Sequence, residues 1–240
     1  MKTKRRELAG VLARIFTYIV VMSLFESTHG DDAAQGWRLL AAAMLLGLLL
    51  AGIAKEQDFG RLRFAPGTPL PGRKVGYLLP MLVVATANLW HGAVLRYAPL
   101  DTVWYVLSML CIGFIEEILF RGYLLQLLLK RSVKVAILVS TLTFGLGHSV
   151  NLLNGAKVVP TLLQLVYALA IGLMLSVFVV KTGHLLPCCF FHGVFNALAA
   201  FSNESGLTMR YQITVCIVIS LMSVGYAWYL WRNVCVKAKQ

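Results

Sequence analysis

Apolar residues along this chain fall into long unbroken blocks, neither alternating in twos nor confined to one narrow helical stripe. Eight such blocks lie at about residues 8–28, 36–54, 75–95, 102–129, 134–153, 158–180, 184–201 and 210–231. Each approaches the ~20 residues a helix needs to cross the hydrocarbon core of a bilayer. In lipid the backbone must satisfy its own hydrogen bonds, and continuous apolar runs are not the alternating strands of ~10 residues that build a barrel. The pattern predicts an all-α, polytopic membrane helix bundle of about eight transmembrane helices. Its longest polar segment, Lys55 to Lys74, holds Pro66, Pro69, Pro71, Gly60, Gly67 and Gly72 and reads as a connector with turns. It divides residues 1–74, a two-span region with its connector, from residues 75–240, a six-span bundle. No internal repeat suggests an inverted-repeat transporter.

Composition agrees with a chain that lives in lipid. Hydrophobic residues make up 59% of it and charged residues 13%, against about 45–50% and about 25% in soluble domains. Mean hydropathy is +0.76. The basic start, Met1 to Arg6, runs into an apolar stretch longer than a signal peptide's h-region, with no small-residue cleavage pattern before Glu26, and is expected to remain as the first span.

The net charge of +12 would suit a nucleic-acid binder, but the cations are not gathered on one face among exposed aromatics, so no nucleic-acid partner is expected. They choose sides of the membrane instead. Sixteen Lys and Arg residues fall in the N-terminal segment, the even-numbered loops and the C-terminal tail, against four in the odd-numbered loops, Arg38, Arg96, Lys157 and Arg210. The positive-inside rule then places both termini in the cytoplasm, as an even number of spans requires. The expected setting is the plasma membrane of a prokaryote, with the lipid bilayer itself as a partner; oligomeric state does not follow from the sequence.

Polar residues inside the spans carry the candidate chemistry. Of ten acidic residues only Glu116 and Glu117 lie deep, and an ionisable group at mid-bilayer costs ~2.5–3.5 kcal/mol on insertion scales, so it points to function. On a helix Glu117 and Arg121 share a face four residues apart and can neutralise each other, while Glu116 points about 100° away and stays free. His148 lies in the fifth block; His192 and Asn196 share a face of the seventh. Counting ~1.5 Å of rise per residue from the basic ends puts Glu116 and His148 about 20 Å deep, Asn196 about 18 Å and His192 about 12 Å. Groups at overlapping depths on three helices are what a shared buried site needs. Glycines 113, 122, 145, 147 and 193 are expected as close-packing positions between helices.

Other groupings are weaker. His184, Cys188 and His192 recur every four residues, which could in principle ligate zinc, but Pro187 interrupts the first turn. The five cysteines show no C-x-x-C and read as small buried hydrophobes. His29 and His91 are expected at the far interface. A P-loop, an H-E-x-x-H helix and a G-x-S-x-G elbow are all absent.

Taken together, Glu116-Glu117-Ile118-Leu119-Phe120-Arg121, Phe144-Gly145-Leu146-Gly147-His148 and His192-Gly193-Val194-Phe195-Asn196 resemble the E-E-x-x-x-R, F-x-x-x-H and H-x-x-x-N/D motifs of the CPBP intramembrane proteases. That family comprises type II CAAX prenyl endopeptidases and bacterial Abi or bacteriocin-processing proteins, and the resemblance covers about residues 100–200. It implies a helical bundle around a water-accessible cavity, open toward the cytoplasm or laterally, in which peptide bonds of peptide or membrane-protein substrates are hydrolysed. By the same resemblance Glu116 acts as base toward water with help from His148, His192 and Asn196 hold the oxyanion, and Glu117 with Arg121 braces the helix. A positioned carboxylate and preorganised donors make coherent hydrolytic chemistry.

The family is also described as metalloprotease-like, with Glu116, His148 and His192 as zinc ligands. The glutamate-type account, with no cofactor, is the one preferred here, and the zinc alternative stays open. Two rival readings use the same residues: a proton- or ion-coupled transporter with a Glu/His relay, and a non-catalytic bacteriocin-immunity factor.

Overall fold

The computed structural model describes residues 2–29, 35–64, 76 and 78–234. Among these the regular structure is helical, apart from one isolated antiparallel bridge between Ala93 and Ser202. Six helices are long and apolar enough to cross a membrane, so the chain is an integral, multi-pass membrane protein. They are α1 (Lys2–His29), α2 (Gln35–Glu56), the continuous rod α4 (Pro99–Glu117), π turn (Ile118–Leu124) and α5 (Leu125–Leu129), then α6 with α7 (Val133–Gly147 and Val150–Leu153), α8 (Val158–Thr182) and α10 (Met209–Asn233). Local chemistry sets their ends. Ser132 Oγ accepts from Val135 N at the start of α6, Thr208 Oγ accepts from Tyr211 N at the start of α10, and Gly183 closes α8 at φ +76°.

The other two expected spans are shorter than the apolar pattern suggested. The block at 75–95 yields α3 (Leu79–Ala85) and a 3-10 turn (Ala87–Leu89); residues 75 and 77 lie outside the described set. Gly92, at φ +106°, then turns the chain into the bridge with Ser202, a backbone state an apolar count cannot see. The block at 184–201 is α9 (Leu186–Ala197) with a 3-10 turn (Leu198–Phe201), its start preset by Pro187. The fifth block breaks after Gly147, leaving His148 as the cap of α6. Of the Lys55–Lys74 connector, residues 57–63 form turns, and 65–74 lie outside the described set.

Contacts define two ends of the bundle. At one, Lys130 pairs with Glu7 at 3.0 Å, Arg14 with Glu56 at 3.3 Å, Leu185 N donates to Arg63 O at 3.1 Å, and Lys181 lies over Trp231 at 4.8 Å. The basic segments therefore share one end. At the other, Arg96 pairs with Glu204 at 2.8 Å, Val94 N donates to Phe201 O at 2.9 Å, and His91 packs edge-on against Tyr211.

Between the ends α8 packs on α6 and α10, while α4 packs on α9 and α2. The α4–α9 crossing is backbone on backbone: a Cβ on Gly113 would overlap the Gly193 backbone nitrogen, and one on Gly193 would sit 3.1 Å from Leu110 Cα. Gly145 presses on Leu169 and Gly122 on Leu185. Gly147 differs from expectation: its Cβ would meet nothing within 4 Å, because it faces a cavity. We therefore expect Gly113→Ala to lower stability by about 1–3 kcal/mol, since backbone cannot move aside, while Gly147→Ala leaves stability unchanged or raised. Thermal melts in detergent compare the two.

Candidate active site

Glu117 and Arg121 are buried completely, with side chains 0% exposed. They sit where α4 passes into the π turn, whose wider register leaves backbone carbonyls needing other donors. Ser140 Oγ donates to Phe120 O at 3.0 Å and Gln126 Nε2 to Arg121 O at 3.3 Å, so two side chains satisfy the turn. The expectation of a regular helix through this motif is corrected here, yet the Glu117–Arg121 contact survives at 2.8 Å. The guanidinium also donates to Gly172 O on α8 at 3.3 Å and lies 4.1 Å over the ring of Phe144. It thus ties α4 to both α6 and α8.

Glu117 does more than pair with its own helix. Its Oε1 also receives His192 Nδ1 from α9 at 2.9 Å. A carboxylate can only accept, so this bond puts the proton on Nδ1 and fixes how the imidazole faces. His192 Nε2 is thereby turned toward Glu116 Oε2, 3.4 Å away. The depth count had set His192 some 8 Å shallower than Glu116. It fails because the paired glycines let α9 sit directly on α4.

Glu116 is not entirely free, as the sequence suggested. Its Oε1 receives the Tyr18 hydroxyl of α1 at 2.6 Å, while its buried Oε2 has no hydrogen-bond donor among the described residues. Glu116, His148, His192 and Asn196 all line one cavity of about 320 Å³. His148 and His192 pack edge-on against Phe144, with centroids 5.3 and 5.4 Å from it. His148 Nδ1 lies 3.4 Å from Gln164 Nε2, and Gln164 Oε1 accepts from Asn151 at 2.9 Å. Asn196 is half-buried on the cavity wall and forms no hydrogen bond with another described residue.

Tyr18, Gln164 and Asn151 were missed in the sequence reading. Gln164 carried a usable signal, an amide inside an apolar span. Tyr18 carried none, since an aromatic hydroxyl is ordinary in a first span.

Among the described residues no three His, Cys, Asp or Glu side chains converge closely enough to hold an ion. Glu116 and His192 face each other at 3.4 Å, and His148 bonds Gln164 through Nδ1, leaving Nε2 free. In the other grouping Cys188 Sγ points to Leu175 O at 3.9 Å while His192 points to Glu117. Cys111, Cys188, Cys189 and Cys216 are free thiols, the last three buried.

The arrangement sets a carboxylate oxygen against an imidazole nitrogen beside one polar cavity, both held by bonds on their remote atoms. Removing the guanidinium should expose how much rests on it. Arg121→Ala leaves Glu117 as a buried, uncompensated charge and is expected to cost about 3–5 kcal/mol. Arg121→Lys should recover part of this, since an ammonium reaches Glu117 but cannot also serve Gly172 O in the same plane. Chemical denaturation in mixed micelles measures both.

Residues 98–198 match the family model described as type II CAAX prenyl endopeptidase, Rce1-like. No curated protein matches the chain.

Proposed function

We propose that the chain is an intramembrane endopeptidase of the glutamate type, a reading supported by the match of residues 98–198 to the Rce1-like type II CAAX prenyl endopeptidase model. The carrying observation is the gap of 3.4 Å between Glu116 Oε2 and His192 Nε2 at the cavity. With the His192 proton held on Nδ1 by Glu117, both atoms offer lone pairs, and a water that enters from the cavity as the two side chains part donates one O–H to each. Such a water is oriented and polarised for attack on a carbonyl, and Glu116 takes its proton as the C–O bond forms.

The remaining residues take supporting parts. Asn196, with no other hydrogen bond among the described residues, and His148 offer donors to the oxygen that becomes negative in the tetrahedral intermediate. Glu116 then returns its proton to the leaving amine as the C–N bond breaks. Tyr18 holds Glu116 through the oxygen that does not react, and Glu117 with Arg121 holds His192. The cavity's volume suits an extended stretch of polypeptide. Such a protein works on peptides or membrane proteins within the plane of a membrane.

Substrates are found by comparing membrane proteomes of cells carrying the wild type and Glu116→Gln. Glu116→Gln is expected to reduce cleavage of any such substrate in proteoliposomes by about 10²–10⁴-fold, the usual contribution of a general base. Tyr18→Phe should slow it by about one to two powers of ten, the worth of a hydrogen bond to a charged group. Glu116→Gln protein that folds normally and cleaves at the wild-type rate would remove Glu116 from the mechanism; flux of ions without any cleaved product would replace the protease reading with a transporter.

Metal dependence is checked separately. Cleavage is expected to persist after exhaustive treatment with a chelator, with metal content followed by mass spectrometry. Loss of activity that zinc alone restores is the result that contradicts a glutamate-type mechanism.

A further inference from the structure

We propose that the basic end of the bundle carries a binding site for the phosphate of an anionic membrane lipid, seated between the start of α1, the end of α2 and α5. A polar cavity of about 220 Å³ lies there, several times the ~30 Å³ that one water occupies in the liquid. It shares no lining residue with the cavity beside Glu116, so the site stands whether or not the chain is a protease.

Charge sets the class of ligand. Arg6, Arg14, Arg61 and Lys130 line the cavity against two acids, Glu7 and Glu56. Both acids already have a partner: Glu56 accepts from Arg14 at 3.3 Å and Glu7 from Lys130 at 3.0 Å. Asp58 takes Arg61 at 3.1 Å, while Arg6 enters no ion pair among the described residues. The paired cations keep donors in reserve, since a guanidinium carries five N–H groups and an ammonium three. A phosphate brings a negative charge and several acceptor oxygens to this surplus, in the geometry an arginine fork prefers. Arg14 is prepared for that role. Its guanidinium lies over the Tyr123 ring at 4.9 Å from the centroid, so packing sets its plane before a ligand arrives.

A soluble anion could use the same cations, but the surroundings favour a lipid. A narrower cavity of about 70 Å³ adjoins, sharing Glu7, Leu127 and Lys130 and walled by Leu8 and Leu128. Apolar side chains directly beside the cations suit the glycerol ester and the first methylenes of an acyl chain. Further along the same membrane-spanning helix Leu12 and Phe16 are exposed, so acyl chains cover α1 there in any case. Cations clustered at the end of a span attract anionic headgroups.

A phosphate in this cavity fastens a helix that is otherwise thinly held. Of the described α1 residues only Val11, Ile15 and Met22 are buried. Arg14 stands four residues before Tyr18, on the same face, and the Tyr18 hydroxyl reaches Glu116 at 2.6 Å. A lipid bridging Arg14 to Lys130 therefore also steadies the helix that supplies Tyr18.

Full-length protein, purified in a neutral maltoside and washed free of native lipid, is titrated with dioctanoyl phosphatidylglycerol, dioctanoyl phosphatidylcholine and inorganic phosphate. Native mass spectrometry counts bound lipid, and tryptophan fluorescence follows the melting temperature, which a ligand of the folded state raises. Phosphatidylglycerol is expected to saturate a single site and raise the melting temperature, where phosphatidylcholine and inorganic phosphate do neither at the same concentration. Arg14→Gln with Lys130→Gln should weaken phosphatidylglycerol binding by about tenfold or more, the worth of a lost hydrogen bond between charged groups. Lys55→Gln with Lys134→Gln removes the same charge from exposed positions outside the cavity and should change binding by no more than about twofold, as solvated surface charges do. Arg6→Gln, which breaks no ion pair among the described residues, should weaken binding by about threefold or more and decides the matter if the first pair fails to fold. Equal losses in the two double variants, unchanged binding in Arg6→Gln, phosphatidylcholine bound as tightly, or the absence of a saturable site overturns the inference. Inorganic phosphate that binds as tightly as the lipid and displaces it replaces the lipid site with one for a soluble anion.

Discussion

One buried carboxylate holds the site together. Glu117 Oε1 accepts from both Arg121 and His192, and through them four helices meet: α4 by its own chain, α8 and α6 through the guanidinium, and α9 through the imidazole. Without the guanidinium the carboxylate is a charge with no compensation in a medium that solvates nothing. Without the carboxylate the imidazole has no fixed tautomer. This fully buried pair is therefore what aims the residues beside the cavity, and Glu117 connects two roles that look separate when each residue is considered alone.

This explains why the two adjacent glutamates differ so much. Side by side in sequence, they diverge around the helix, one into packed protein and one toward the cavity. Glu117 has cationic and hydrogen-bonded neighbours and no access to solvent. Glu116 has a tyrosine on one oxygen and His192 facing the other, beside the cavity that it helps to line. The π turn that follows sets Arg121 beneath Glu117 as part of the packed floor, and Phe144, against which both imidazoles and the guanidinium pack, keeps that floor apolar around the one ion pair. Under the protease reading, this division would set a general base beside the cavity and firm support behind it.

The Gly113–Gly193 crossing is the second constraint. Two backbones in contact leave no freedom for α9 to slide, so His192 is registered against α4 by sterics before any hydrogen bond forms. Gly147, with open space where a packing glycine would have a neighbour, marks the boundary between protein and cavity. A glycine in an apolar run has either meaning, and only the neighbouring helix decides between them.

The sequence alone determined the fold class, because lipid leaves a long apolar chain no alternative to helices, and it determined the charge bias of the loops. It also picked out Glu116, Glu117, Arg121, His148, His192 and Asn196, since polar groups are too costly in lipid to be incidental there. Tertiary structure decided which of these touch. Depth along a helix is a single coordinate, whereas contact requires the crossing angle, the rotation and the starting height of each helix. These are set by glycine pairs, the π turn and the positive-φ Gly92, features whose effects appear only when two elements meet. For the same reason Tyr18, distant in sequence and ordinary in type, became a neighbour of Glu116 only once α1 was packed against the π turn, and the cavity became legible only when all its walls were in place.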